Sequence, residues 1–197
     1  MEFSNIDDLK NMIVNYYQDI KHAQTYFKIY KDLVIFINDE FNGDIETWIK
    51  YFLASSLYQS VMTTSKLYDK QRDSFSLIKF VQHFTNKNYV FLNSNKKFYE
   101  QIEHLNKNIE LYNNEIERLK KRRNRFNAHY DFEYLINKKN VQKDLPLFFD
   151  DKENLLSIAE KFVKNVWKSI TTDKLTFTNN IDMNALKEDI RRIKCNK

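Results

Sequence analysis

Residues 5–41, NIDDLKNMIVNYYQDIKHAQTYFKIYKDLVIFINDEF, decide the fold. Apolar side chains recur in alternating steps of three and four: Ile6, Leu9, Ile13, Tyr16, Ile20, Ala23, Phe27, Tyr30, Val34, Ile37 and Phe41. That spacing keeps them on one face of a helix and predicts one long amphipathic helix, or two nearly collinear ones. Ser4 is placed to cap its start, and Asp7 and Asp8 put negative charge in the first turn, where the helix dipole favours it. Asn42-Gly43 follows as a turn.

The same pattern continues outward. A second helix is expected over about residues 45–68, capped by Asp44 and carrying Ile45, Trp48, Phe52 and Leu53. A short third helix carries Leu77, Phe80, Val81 and Phe84. Ser94 is placed to cap the most regular seam of the chain: Phe98, Ile102, Leu105, Ile109, Tyr112, Ile116, Leu119. A fifth helix starts at Asp150 or Asp151, and a weak last one spans 183–194. Gly43 is the only glycine and Pro146 the only proline. Sandwiches, barrels and doubly wound sheets draw on those residues for tight turns, and phosphate-cradling loops need several glycines close together. The expectation is an all-α chain, an antiparallel bundle of four to six helices without a sheet. It reads as a single domain over 1–197, with the core in 5–170 and a C-terminal extension over 171–197.

Composition narrows the function. Cys195 is the only cysteine, so no disulfide can close within the chain, which suits a reducing cytoplasm. His22, His83, His104 and His129 form no His-Glu-x-x-His pair and have no cysteine partners, so no metal or other cofactor is expected. The acidic N-terminus has no apolar core of a secretory signal, and no uncharged apolar run approaches the ~20 residues of a membrane span. The charge balance, 32 Lys+Arg against 27 Asp+Glu, is mildly basic. That suits a nucleic-acid partner, but richness in Lys, Asn, Ile, Phe and Tyr is also what an AT-rich genome encodes.

One segment has a chemical choice of residues: Lys120-Lys121-Arg122-Arg123-Asn124-Arg125-Phe126-Asn127-Ala128-His129-Tyr130-Asp131. Five of its first six positions are cationic. Taken alone, such a run reads first as a solvated helix end, since cations near a helix C-terminus are favoured by the dipole. The seam changes that reading. Continued past Leu119, it lands on Arg123, then Phe126, then Tyr130, so an arginine stands where an apolar residue belongs. An inward guanidinium needs a carboxylate, a phosphate or a water-filled cleft to face. His129 lies six residues on, roughly 240° further round at ~100° per residue. The two side chains therefore converge only across a cleft, a helix end or a subunit interface.

The segment Arg123-Asn124-Arg125-Phe126-Asn127-Ala128-His129 resembles the arginine–polar residue–histidine motif of HEPN-domain proteins. Its ending, Ala128-His129-Tyr130-Asp131, is similar to that of the AbiU-like branch linked to phage abortive infection. Upstream, Ser65-Lys66-Leu67-Tyr68-Asp69-Lys70 with Ser74-Phe75-Ser76-Leu77 looks like the same branch's Leu-Phe-Asp to Ser-Leu stretch. The resemblance implies a metal-independent endoribonuclease with a toxin or phage-defence role, a homodimer whose protomers share one cleft, and an antitoxin or defence-system partner. It implies that Arg123 stabilises the charge on the scissile phosphate, that His129 is general acid or base, and that Asn124 orients one of them. Tyr130 stands one residue before the place where another HEPN branch carries a modifiable tyrosine, and Asp131 occupies that place.

The chemistry agrees with the resemblance. RNA supplies its own nucleophile, the 2′-hydroxyl, so the protein must move protons and neutralise a pentavalent phosphorane. A histidine near pKa ~6.5 does the first and a forked guanidinium the second. Lys120, Lys121, Arg122 and Arg125 would hold flanking phosphates. Asp131 is read equally as a cap or as an orienter of His129, and Tyr130 is a second candidate for the orienting role. The alternative reading is a non-catalytic RNA- or protein-binding helical module in which His129 is structural. Truncating Arg123 is expected to disturb folding little, since an inward arginine in a polar cleft gives up charge as well as contacts.

Overall fold

The computed structural model describes residues 3–42, 46–71, 76–87, 89–124, 148–177 and 181–195. Among the described residues there are seven α-helices and no strand. They are α1 (Ile6–Phe41), α2 (Thr47–Leu67), α3 (Leu77–Asn86), α4 (Lys96–Leu111), α5 (Asn113–Arg122), α6 (Phe149–Ile170) and α7 (Met183–Cys195), with a 3-10 turn at Val90–Leu92 before α4. The all-α expectation holds. The seventh helix arises because the regular seam of 94–119 is two helices: at Tyr112 the backbone leaves helical geometry (φ −100°, ψ 22°). Asn113 and Asn114 follow at once, and asparagine competes with helical hydrogen bonding.

α1 is one unbroken helix of 36 residues. Its cap is Asn5 instead of Ser4: the Asn5 side chain accepts from the N–H groups of Asp7 (2.9 Å) and Asp8 (3.0 Å). Ser4 contributes through its backbone, donating to Asp8 Oδ2 at 2.9 Å. At the far end Asn42 takes the left-handed conformation (φ 50°) and donates its N–H to Ile37 O, a geometry that asparagine tolerates better than most residues. Two further caps shift by a residue or lie elsewhere. Asn95, not Ser94, accepts from Phe98 N at the start of α4, and α2 starts after Glu46 without a side-chain cap. Gly43, Asp44 and Ile45 lie outside the described residues.

α2 folds back on α1, with Ile49 packed beside Leu33 and Ile37, and Val61 and Leu67 beside the N-terminal half of α1. The main core gathers Leu9 to Ala23 of α1, Phe80 and Phe84 of α3, Phe98 to Ile109 of α4, Ile116 and Leu119 of α5, and Leu155 to Trp167 of α6. A smaller cluster around Ile29, Leu33, Phe36, Ile37 and Ile49 receives Ile190 of α7. No helix among the described residues is long and apolar enough to cross a membrane.

Several polar side chains inside the bundle cross between helices. Tyr68 Oη donates to Leu155 O at 2.7 Å, joining the end of α2 to α6. Ser60 Oγ donates to Ala23 O at 2.7 Å, and Lys152 Nζ donates to Ser60 Oγ at 2.7 Å. Lys152 is 1% exposed, and its Nζ stands 3.2 Å from the centre of the Phe27 ring. Burial pushes its pKa down to about 6; Glu153 works against that shift and Lys31 with it. Between about pH 6 and ~10 the unfolded chain therefore binds a proton that the folded chain does not, and stability rises with pH by up to ~1.4 kcal/mol per unit from this group. We expect Lys152→Met to flatten that rise in urea titrations, with its largest gain over the parent near pH 6 and none near pH 10.5, above the ~10.4 of an unfolded lysine. An equal gain at both pH values would show that Lys152 carries its proton throughout.

Candidate functional site

The site is built where α2 ends, α3 begins and α5 ends. Arg123 continues α5 in helical geometry (φ −54°, ψ −53°), so the helical seam carries its side chain inward, where it is 7% exposed. What it meets is a carboxylate. Arg123 Nη1 lies 2.7 Å from Asp69 Oδ2, and Asp69 is 4% exposed. Arg123 Nε donates to Asn124 Oδ1 at 2.8 Å. Two of the three guanidinium nitrogens are thus engaged, one by the ion pair and one by the neighbouring amide.

Asp69 is itself held on several sides. Its Oδ1 accepts from Gln71 N at 3.0 Å, and its backbone carbonyl accepts from Ser76 Oγ. Ser76 also caps α3, accepting from Lys79 N at 3.2 Å, and its carbonyl accepts from Tyr16 Oη at 3.1 Å. Burial pushes the Asp69 carboxyl up, but the Arg123 guanidinium, the Gln71 N–H and the nearby Lys120 outweigh burial and hold it below the usual carboxylate range. The two stretches that carry the family resemblance, 65–77 and 123–129, are therefore joined at a buried ion pair. Asp69 stood in the first stretch without a role; the signal for it was the acidic residue next to Tyr68, and nothing local paired it with an arginine 54 positions on.

The remaining cations of the segment differ in setting. Lys120 is half-buried and pairs with Glu117 at 3.3 Å. The same carboxylate takes Lys70 at 3.4 Å, which ties the loop after α2 to α5 a second time. Lys121 is exposed. Arg122 is half-buried, and burial lowers its pKa while the nearby Tyr30 opposes that shift. Asn124 is half-buried and faces Arg123. Arg125, His129, Tyr130 and Asp131 lie outside the described residues. Of the other histidines, His83 packs in the aromatic cluster with Phe3, Phe84 and Tyr89, His22 sits edge-on to Phe177, and His104 is exposed on α4. Among the described residues no cluster of three or more His, Cys, Asp or Glu could hold a metal ion.

The pair corrects the expectation that Arg123 can be truncated without harm to folding. Removing one member of a buried ion pair leaves the other charge uncompensated, which costs about 3–5 kcal/mol, whereas replacing both by apolar groups is often neutral. In urea unfolding, Arg123→Ala and Asp69→Ala should each lose stability of that order. The double variant Asp69→Leu/Arg123→Met should recover most of it. The Asp69 contribution should be present above ~pH 4 and lost as pH falls through its depressed folded value. Additive losses in the double variant would mean that the two side chains do not interact.

The family model described as AbiU2, of the HEPN group, matches residues 6–189. That range takes in α1 to α6 and the first half of α7. No curated protein and no solved structure matches significantly.

Proposed function

Because the chain belongs to the AbiU2 family, an abortive-infection HEPN-type domain, we propose that it is a metal-independent endoribonuclease acting in phage defence. The observation that supports this most is the Asp69–Arg123 pair. It sets an arginine at the end of a basic helix, braced by a carboxylate on one edge and by Asn124 on another. A guanidinium fixed in this way needs no reorganisation to meet an anionic phosphorane. Nη2 takes part in neither bond and is the donor to offer to a phosphate oxygen. His129 supplies proton transfer, removing the 2′-OH proton or protonating the 5′-oxygen that leaves. One short motif provides one histidine, so acid and base together call for two copies of the chain related by a two-fold axis. Lys121, Arg122 and Arg125 would hold neighbouring phosphates, with Lys120 shared between that task and Glu117.

The same pair favours a second reading. A buried arginine already neutralised by a carboxylate is also what a purely structural buckle looks like, and then the domain is a non-catalytic RNA- or protein-binding module. Incubation of RNA with the protein in excess EDTA separates the two. The ribonuclease reading expects cleavage with 2′,3′-cyclic phosphate and 5′-hydroxyl ends. It also expects a loss of ~10²-fold or more for His129→Ala, with thermal stability unchanged. Arg122→Ala should mainly weaken binding. Binding that survives His129→Ala without any cleavage, and weakens steeply with salt, supports the module instead.

A further inference from the structure

A groove of about 250 Å³ runs between α4 and α6. Its floor is apolar, formed by Leu105, Ile158 and Phe162. Its walls are unusual for a chain in which 30% of residues are charged. They carry four amides, Gln101, Asn108, Asn154 and Asn165, with His104, Tyr112 and Ser157. Among the described residues Lys161 is the one charged side chain in the lining, and no carboxylate lines it. Part of the amide array is pre-set. Asn165 Nδ2 donates to Gln101 Oε1 at 3.0 Å across the groove, which leaves Gln101 Nε2 as a donor and Asn165 Oδ1 as an acceptor side by side. Asn108 Nδ2 donates to His104 Nδ1 and to His104 O, both at 2.9 Å.

The groove reaches the start of α5. Tyr112, half-buried in its lining, joins α4 to α5, and Arg123 follows at the other end of α5, eleven positions and ~16 Å of helix rise later. On the α6 side, Asn154 stands three residues after Asp151, whose carboxylate takes Arg118 of α5 at 2.6 Å. A polar track thus borders α5 from one end.

We propose that this groove binds single-stranded RNA flanking the cleaved step, with the amides reading a base edge, Tyr112 stacking on a base and Lys161 holding a phosphate. The assignment rests on the ribonuclease reading for its ligand class. Amide side chains present a donor and an acceptor together, the pattern of base edges, and single-stranded RNA is recognised by such contacts plus aromatic stacking. An acidic protein segment would call for several cations here and a basic one for carboxylates; among the described residues the lining has one and none respectively. An apolar helix would leave the amides unpaired.

The test uses a fluorescein-labelled single-stranded 2′-O-methyl RNA, which lacks the nucleophile, so binding is read by anisotropy without cleavage. Asn154→Asp/Lys161→Glu, both exposed positions, should weaken binding about ten-fold or more and flatten its salt dependence, with an unchanged melting temperature. Tyr112→Leu, which keeps apolar bulk, should weaken it about ten-fold through lost stacking. The parent should prefer the single strand to a duplex of the same sequence. Binding by the double variant equal to the parent's, or equal binding of duplex and single strand, overturns the groove assignment and leaves cleavage at the motif standing. RNA held through the groove by a parent that never cleaves supports the groove and overturns the ribonuclease reading.

Discussion

Arg123 follows α5 as its C-cap with its side chain directed into the bundle, where a guanidinium without a counter-charge would cost several kcal/mol. Asp69 meets that requirement at 2.7 Å, and much of the local architecture follows from keeping it there. The end of α2 is fixed to α6 through the Tyr68 hydroxyl, the start of α3 is fixed to Asp69 through Ser76, and Ser76 is tied to α1 through Tyr16. Each of these bonds lies in the buried part of the molecule, where an unmatched polar group is costly and a matched one specifies position. The pair thus does two things. It ties the end of α2 to the end of α5, and it holds the C-cap residue of a basic helix in a defined orientation.

The two roles compete for one guanidinium. A structural buckle is strongest when all its donors are satisfied, whereas a phosphate ligand needs a donor left over. Nε and Nη1 are committed and Nη2 takes part in neither bond. Such a division resembles what electrostatic catalysis asks for, charge fixed before the reaction and aimed where negative charge develops. It also explains why a loss of activity on truncating Arg123 would not by itself identify it as a phosphate ligand, since the same change unbalances Asp69.

Much of the fold could be read directly because its cause is local. The three-four seam of 5–41 dictates α1, and the scarcity of glycine and proline removes sandwiches, barrels and doubly wound sheets. The seam break at Arg123 was legible for the same reason, and so was the need for a counter-group. The identity of that group was not. Asp69 reaches Arg123 only through the packing of α2 against α5, and no local pattern encodes such a meeting. Lys152 makes the same point more sharply. Between Asp151 and Glu153 it is written as part of a solvated first turn, yet it is 1% exposed and bonded to Ser60. Asn5 in place of Ser4 and Asn95 in place of Ser94 are smaller cases: adjacent residues of equal capping ability differ only in the chain direction at the helix entrance. His129, Tyr130, Asp131 and Arg125 lie outside the described residues.

The most direct measurement of the central claim is by NMR on the folded protein: pH titration of the Asp69 side-chain carboxyl carbon, together with exchange of the Arg123 Nε–H. A buried ion pair predicts an Asp69 midpoint below ~3.9 and an Nε–H signal that persists where exposed arginines have exchanged with water. An Asp69 midpoint at or above the ordinary value, with Arg123 Nε–H exchanging like its exposed neighbours, would contradict the pair and with it the joining of the two motifs.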